Sequence, residues 1–368
     1  RALSRLGRGM DARRARESDL FTVFDGYVPE AGADSDPTKP GGPVLSASRL
    51  EILGRCPLEY FFAYVLDIKP PEEYLLDPSR WLEPTEKGSL LHSVFQAFHI
   101  RLRENDRSPS CEEDWDTLQD ILEAEIGSWV HRKPPPSPEV FEREADDLRR
   151  CARIFLQEEE KHCRGRRPLY FEVAIGMQSG SQGNPVESPQ PVAIELPGGK
   201  TVRTRGYIDR IDELGEPGSL RFAVCDYKTG SSYGYKLEDP FRQGRRIQNF
   251  IYMMQAQSRL ACCHHGASVD SFQYFFPSTR EHGERIEWGS GTLAEGISIL
   301  EDLCEMLARG CFPFTDEPQD VNISDFRDYF GDIDANADAV RRKLGNSRNE
   351  VLAPFRELRG YGERSHER

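Results

Sequence analysis

Two carboxylates and a lysine stand close together in the middle of the chain, in Gly206-Tyr-Ile-Asp209-Arg210-Ile-Asp212 and Phe222-Ala-Val-Cys-Asp226-Tyr227-Lys228-Thr-Gly230. Such a set suits a divalent cation with an ammonium beside it, because hard cations take oxygen ligands and keep water and phosphate oxygens in their shell. Side chains alternate along a strand, so Asp226 and Lys228 project from one face while the apolar run before them anchors the segment in a sheet. Gly215-Glu-Pro-Gly-Ser219 reads as a hairpin connection that would bring Asp209 alongside. Standing alone, Asp-Tyr-Lys is more often an ordinary salt bridge at a strand end.

The elements that must hold these residues follow from hydrophobic periodicity. Ser46 and Ser48 start a buried helical region broken at Cys56-Pro57. Gly88 to Arg103 reads as an amphipathic helix with Leu91, His92, Phe95, Phe98 and His99 on or near one face. Helical patterns continue over 114–126 and 139–163. From Leu169 the period becomes two, and a meander of strands is expected at 170–175, 192–196, 201–211 and 220–227. A helix over 245–260 places Gln248 and Tyr252 on one side. Strands at 271–276 and 285–288 and a helix at 293–308 complete an α/β sandwich with a mixed sheet. Three parts are expected: a lead-in and linker over 1–43, including a strand-like 20–24; a main domain over 44–315 with a helical first half; and a C-terminal segment over 316–368, helix-like from Ala335.

Composition narrows the class. The chain has 368 residues, 38% of them hydrophobic, which allows a substantial core. No apolar run approaches the roughly 20 residues of a membrane span, and the arginine-rich start lacks the apolar stretch of a secretory signal, so a cytoplasmic protein is expected. A first residue of Arg1 suggests a piece of a longer polypeptide. Nine cysteines without paired spacing point to reduced thiols. The net charge of -14 argues against a general nucleic-acid-binding surface. Between Lys200 and Arg246, however, ten basic residues face seven acidic ones, leaving cations for a phosphate-tracking rim. Arg203 and Arg205 share the parity of Asp209 and could contact a phosphate backbone, or form a solubilising edge.

Five landmarks now stand in order: Ser46-Ala-Ser-Arg-Leu50 with Cys56-Pro57, Gly88-Ser-Leu-Leu-His92, the Asp209 segment, the Asp226-Tyr-Lys228 segment, and Gln248-Asn-Phe-Ile-Tyr252. Together, over about 44–331, they resemble the PD-(D/E)XK nucleases, and within them the RecB-like nuclease domain of the AddB helicase-nuclease subunit. The resemblance implies a restriction-endonuclease-like core. It also implies Mg²⁺ or Mn²⁺ held by Asp209, Asp226, the Tyr227 carbonyl and His92, with Glu172 as a further acidic position. Lys228 would orient the attacking water or stabilise charge on the phosphate, and Gln248 and Tyr252 would bind phosphate or fix Lys228. The implied activity is a metal-dependent DNase, an exonuclease working with a helicase domain or subunit on DNA. A non-cleaving DNA-binding or scaffolding domain of the same fold is the alternative, and action on RNA or structured DNA is a third reading. Without the resemblance, His92 reads as a packed core histidine, and Glu172 equally as a site carboxylate or a solvated strand residue.

The chain departs from its relatives in one place. Many AddB-like domains hold an iron-sulphur cluster with one early and three late cysteines. Cys56 matches the first, but Val321, Ser324 and Phe330 stand at the other positions, so no cluster is expected. Packing by Phe326, Tyr329 and Phe330 would close the domain instead. Gly199-Lys-Thr201 lacks the upstream glycine of a phosphate-binding loop. Gly289-Ser-Gly lacks a βαβ unit, and Cys262-Cys-His-His265 is too compressed to enclose a tetrahedral zinc ion.

Overall fold

The computed structural model describes residues 2–70, 77–178 and 184–361. Its centre is β4 (Thr201–Leu214), whose alternating and then fully buried pattern suits a strand covered on both faces. Four strands share out its length. β1 (Leu45–Ser46) runs parallel to it at Thr204 and Arg205, and β3 (Val192–Glu195) antiparallel over Thr201 to Thr204. β2 (Arg166–Ile175) pairs with Gly206 to Leu214, and β5 (Arg221–Tyr227) with Arg210 to Glu213. β5 continues in parallel to β6 (Ser268–Phe276), which pairs antiparallel with β7 (Glu284–Gly289). The sheet is mixed, as expected. The expected meander is corrected, because β2 and β3 both lie along β4 instead of pairing in succession.

Helices flank this sheet. α1 (Ala2–Glu17) and α2 (Pro29–Ser35) precede β1; α3 (Ala47–Arg55) and α4 (Pro57–Tyr60) follow it. The break between α3 and α4 falls at Cys56-Pro57, where proline opens the second helix. α5 (Pro84–Glu104), α6 (Cys111–Arg132) and α7 (Pro138–His162) form the helical first half. They pack a separate apolar cluster of Phe95, Phe98, Leu122 and Phe155 against Tyr227 and Phe275 of the sheet. α8 (Gln248–Cys263) and α9 (Leu293–Arg309) join the larger core, and α10 (Ile333–Leu344) and α11 (Ala353–Leu358) follow. No helix among the described residues is long and apolar enough to cross a membrane.

Two expectations for the lead-in are corrected. Residues 20–24 form no strand: Thr22 and Asp25 make a capping box that winds 23–25 into a single 3-10 turn. Part of the expected linker is the helix α2, whose Gly32 lies so close to the end of α9 that a Cβ would meet the Ala308 carbonyl at 2.4 Å. In the C-terminal segment, Phe326 and Phe330 pack against Phe62 with ring centroids 5.7 and 6.2 Å away. Tyr329 takes no comparable place and is 64% exposed. Val321 is fully buried and Ser324 nearly so. Cys56 is buried, and that burial pushes its thiol up to about 12.

Candidate active site

β4 places Asp209 at the middle of a row of carboxylates. The ladder with β2 pairs Phe171 with Arg210 and Val173 with Ile208, so Glu172 lies across from Asp209 on one side. The ladder with β5 ends at Arg210 and Cys225, which puts Asp226 across from it on the other. Where that ladder stops, the Tyr227 amide donates to Asp209 Oδ2 at 2.8 Å and fastens the two strand ends together. α5 brings His92 down from above, with Nδ1 3.5 Å from Asp209 Oδ2. Ligand atoms of His92, Glu172 and Asp209 all lie within 4.8 Å of one another, and no other group of three such residues does so among the described residues. The Cys262 to His265 run therefore gathers no third ligand there; His264 Nε2 instead lies 2.6 Å from the Tyr170 hydroxyl.

Asp226 stands beside this triad and is held by different partners. Its Oδ1 accepts from Gln248 Nε2 at 2.9 Å, and its Oδ2 lies 2.5 Å from Lys228 Nζ. Oδ2 is buried, and the Lys228 ammonium is its ion-pair partner. Lys228 also donates to Gln248 Oε1 at 3.0 Å, and the Tyr274 hydroxyl donates to the same oxygen at 3.1 Å. Gln248 thus bridges acid and ammonium. Strand alternation sends Tyr227 to the opposite face, where its hydroxyl accepts from Arg210 Nη1 at 2.8 Å.

The electrostatics fit a site built for a cation. Burial, then the Asp209 charge, push Glu172 up to about 8, against a hydrogen bond with Tyr207. Burial raises Asp226 to about 6 although Lys228 pulls it down, because Asp209 adds its repulsion. Burial disfavours the Lys228 ammonium, but Asp226, then Tyr235 and Asp209, more than offset it and hold the group above the ordinary lysine range. Glu172 also carries a φ of +49°, a strained conformation for a residue with a side chain. The mutual repulsion of carboxylates crowded together here would be relieved by a divalent ion, so these residues fit a divalent metal.

Several supporting residues carry no such signal in the sequence. Glu51 of α3 accepts from the amides of Ile247 and Gln248 at 3.0 and 3.1 Å, supplying the carboxylate that the start of α8 lacks locally. Gly206 lets α8 approach β4, since a Cβ there would meet Gln255 Oε1 at 2.4 Å and Tyr252 Cε1 at 3.0 Å. Tyr252 faces the same cleft as Gln248, which has a volume of about 700 Å³ and is lined also by Arg205, Arg246, Ser46 and Lys228. Arg203 does not reach it, because its guanidinium donates to the Gly42 carbonyl.

Behind the site lies a buried ionic group. Arg210 donates to Glu159 Oε2 at 3.0 Å and Asp212 Oδ2 at 2.9 Å, with His99 Nε2 3.1 Å away. His99 and Glu159 belong to α5 and α7, so this group joins both helices to β4. Glu159 is held well below its ordinary value: burial opposes its charge, but Arg210 and Arg285 outweigh it.

The chain resembles known proteins over part of its length. The chain is 28% identical over 201 residues to an ATP-dependent helicase/deoxyribonuclease subunit of Lacticaseibacillus casei (strain BL23), covering 50% of this chain and 15% of that protein. It is 29% identical over 222 residues to the protein of the same name from Clostridium acetobutylicum, covering 57% of this chain and 17% of the relative. The Clostridium botulinum protein matches at 26% over 227 residues, 59% of this chain and 18% of its own length. The chain therefore corresponds to less than a fifth of these relatives. The PD-(D/E)XK nuclease superfamily model matches residues 44–321, a span that takes in all seven strands and the carboxylates, lysine and amide of the cleft. On that continuous match, with carboxylates and lysine meeting on adjacent strands, the chain belongs to the PD-(D/E)XK nuclease superfamily.

Proposed function

We propose that the chain is the metal-dependent nuclease domain of a helicase-nuclease system, hydrolysing DNA phosphodiester bonds as an exonuclease. The observation that carries this reading is the joining of Asp226, Lys228 and Gln248 beside Asp209, with ligand atoms of His92, Glu172 and Asp209 within 4.8 Å of one another. Asp209, Glu172 and His92 would hold Mg²⁺ or Mn²⁺, with Asp226 Oδ2 and the Tyr227 carbonyl as further oxygen donors. Such an ion, when bound, polarises a phosphate and makes its bound water more acidic. Lys228 stays protonated, placing positive charge where the phosphate gains negative charge. Gln248 fixes the ammonium and Asp226 at once, so both are oriented before substrate arrives. Tyr252 and Arg205 line the cleft through which a DNA backbone would approach. The helicase link is supported by the names of the relatives, and the cluster-free closure by the Phe62, Phe326 and Phe330 packing.

Purified protein incubated with end-labelled single- and double-stranded DNA in Mg²⁺, Mn²⁺ or EDTA tests this reading. Degradation with metal, abolished by EDTA and by Asp226→Asn, is the expected result. DNA bound but uncut in either metal would replace the enzyme with a non-cleaving binding domain.

A further inference from the structure

The chain that follows Lys228 builds a second hollow next to the cleft. Its volume is about 480 Å³, and Tyr233, Lys236 and Arg242 line it, together with Asp239 and Glu317. The two hollows meet along one stretch of chain: Tyr235 and Arg246 line the first, Gly234 and Arg242 the second. Gly234 makes the junction, because a Cβ there would lie 3.5 Å from Arg242 Nη1 and 3.7 Å from Arg246 Nη2. The Arg246 guanidinium lies 4.5 Å from the centre of the Tyr235 ring and 3.5 Å from Glu51 Oε2, so its charge is already paired.

The charges are unevenly occupied. Neither the Arg242 guanidinium nor the Lys236 ammonium enters a salt bridge among the described residues. The carboxylates beside them are already engaged. Asp239 accepts from the Arg242 amide at 2.7 Å, and Glu317 lies 3.5 Å from Arg245 and accepts from Gln319. Lys236 and Arg242 are thus cations without an ion-pair partner among the described residues, in a chain whose net charge is -14.

Tyr233 is 89% exposed, the most exposed of the large hydrophobic side chains among the described residues. It does not sit on a loose loop. Its amide donates to Ser231 Oγ at 3.2 Å, the Tyr235 amide closes the turn on the Ser232 carbonyl at 2.8 Å, and Ser232 Oγ donates to Glu281 Oε2 at 2.7 Å. An aromatic ring held out on a pinned turn, with unpaired cations around it, combines a stacking face with a phosphate track.

We propose that residues 231–246 form a track for a single strand of nucleic acid leading from the site, with Tyr233 as a base platform and Lys236 and Arg242 along the phosphates. A duplex keeps its bases stacked within itself and offers the ring a free face only at an end, so the track favours single strands. The track rests on the proposed nuclease function only for its destination; strand binding stands apart from cutting.

Fluorescence anisotropy in EDTA with a labelled oligothymidylate and a blunt hairpin duplex tests the track. Tyr233→Ala should weaken single-strand binding on the order of ten-fold, the loss of one base stack, while duplex binding moves far less. Tyr233→Phe should keep the affinity, since stacking needs the ring and not the hydroxyl. In cleavage assays the Tyr233→Ala loss should fall on KM. Unchanged single-strand affinity in Tyr233→Ala, or an equal loss on duplex, would overturn the track. A wild-type protein that cuts no DNA in either metal would count against the nuclease function alone, because the anisotropy comparison still decides the track.

Discussion

Gln248 shows how much of the site depends on one amide. Its nitrogen serves Asp226 and its oxygen serves Lys228 and Tyr274, so exchanging the two atoms would set NH₂ against an ammonium. Gln248→Glu would put a carboxylate against Asp226, and Lys228→Ala would remove the cation. Each should lower kcat on the order of 10²-fold, measured on single-stranded DNA under saturating metal. The acids make a second prediction. Glu172 at about 8 and Asp226 at about 6 both lie above their ordinary values of 4.5 and 3.8. The folded chain therefore keeps protons that the unfolded chain has released. Stability from these groups is fullest below the ordinary carboxylate range and is lost as pH rises through 6 and then 8. A divalent ion replaces those protons, so the rise in Tm on adding Mn²⁺ should be larger at pH 8 than at pH 6. Equal rises at both would show that neither acid faces the ion. At this scale alternation makes the shared face of Asp226 and Lys228 legible in the sequence, and four-residue spacing the shared side of Gln248 and Tyr252, while their grouping with Asp209 as one site rests on the resemblance. Glu51 is not, since nothing in its own helix marks a carboxylate whose partner lies 197 residues further on.

The elements carry the site because each has two faces with different tasks. Asp209 and Asp226 look toward His92, Lys228 and Gln248, while Arg210, Asp212 and Tyr227 look into the buried ionic group that ties α5 and α7 to the sheet. Removing one member of such a group leaves the others charged and unpaired in the interior. Glu159→Gln should destabilise the protein by about 3–5 kcal/mol, read from the denaturant midpoint at unchanged slope. A change within about 0.5 kcal/mol, the range of ordinary surface substitutions, would mean that water reaches Arg210. Most helices and strands follow from periodicity. Residues 20–24 favour β structure by type, yet the Thr22 and Asp25 cap is a local interaction strong enough to wind them into a turn. The meander fails for a geometric reason: a 14-residue strand offers room for two short partners end to end.

The whole molecule is closed at its C-terminal end by charge as well as by rings. Arg359, fully buried, donates to Asp316 Oδ1 at 2.8 Å and to the carbonyls of Gln243 and Gly54 at 2.6 and 2.5 Å. Burial, then repulsion from Arg245, lower its pKa to about 10. Arg359→Ala should cost about 3–5 kcal/mol by leaving Asp316 and two carbonyls short of a partner, again measured by denaturant unfolding. Binding of single strands to so acidic a protein should weaken steeply with salt, by a slope of roughly 0.7 per phosphate contacted, and Arg242→Ala should make that slope shallower. How the late segment closes on the early one is not legible in the sequence, because the contacts join residues some 300 positions apart, such as Gly54 and Arg359. The shared strand β4 also has a consequence in time. As the chain is made, Asp209 emerges before Asp226, Lys228 and Gln248, and β4 has no β5 beside it until the hairpin turn has been passed. A growing polypeptide thus carries Asp209 alone until β5 is made, and the bridge between Asp226 and Lys228 waits further for Gln248 at the start of α8.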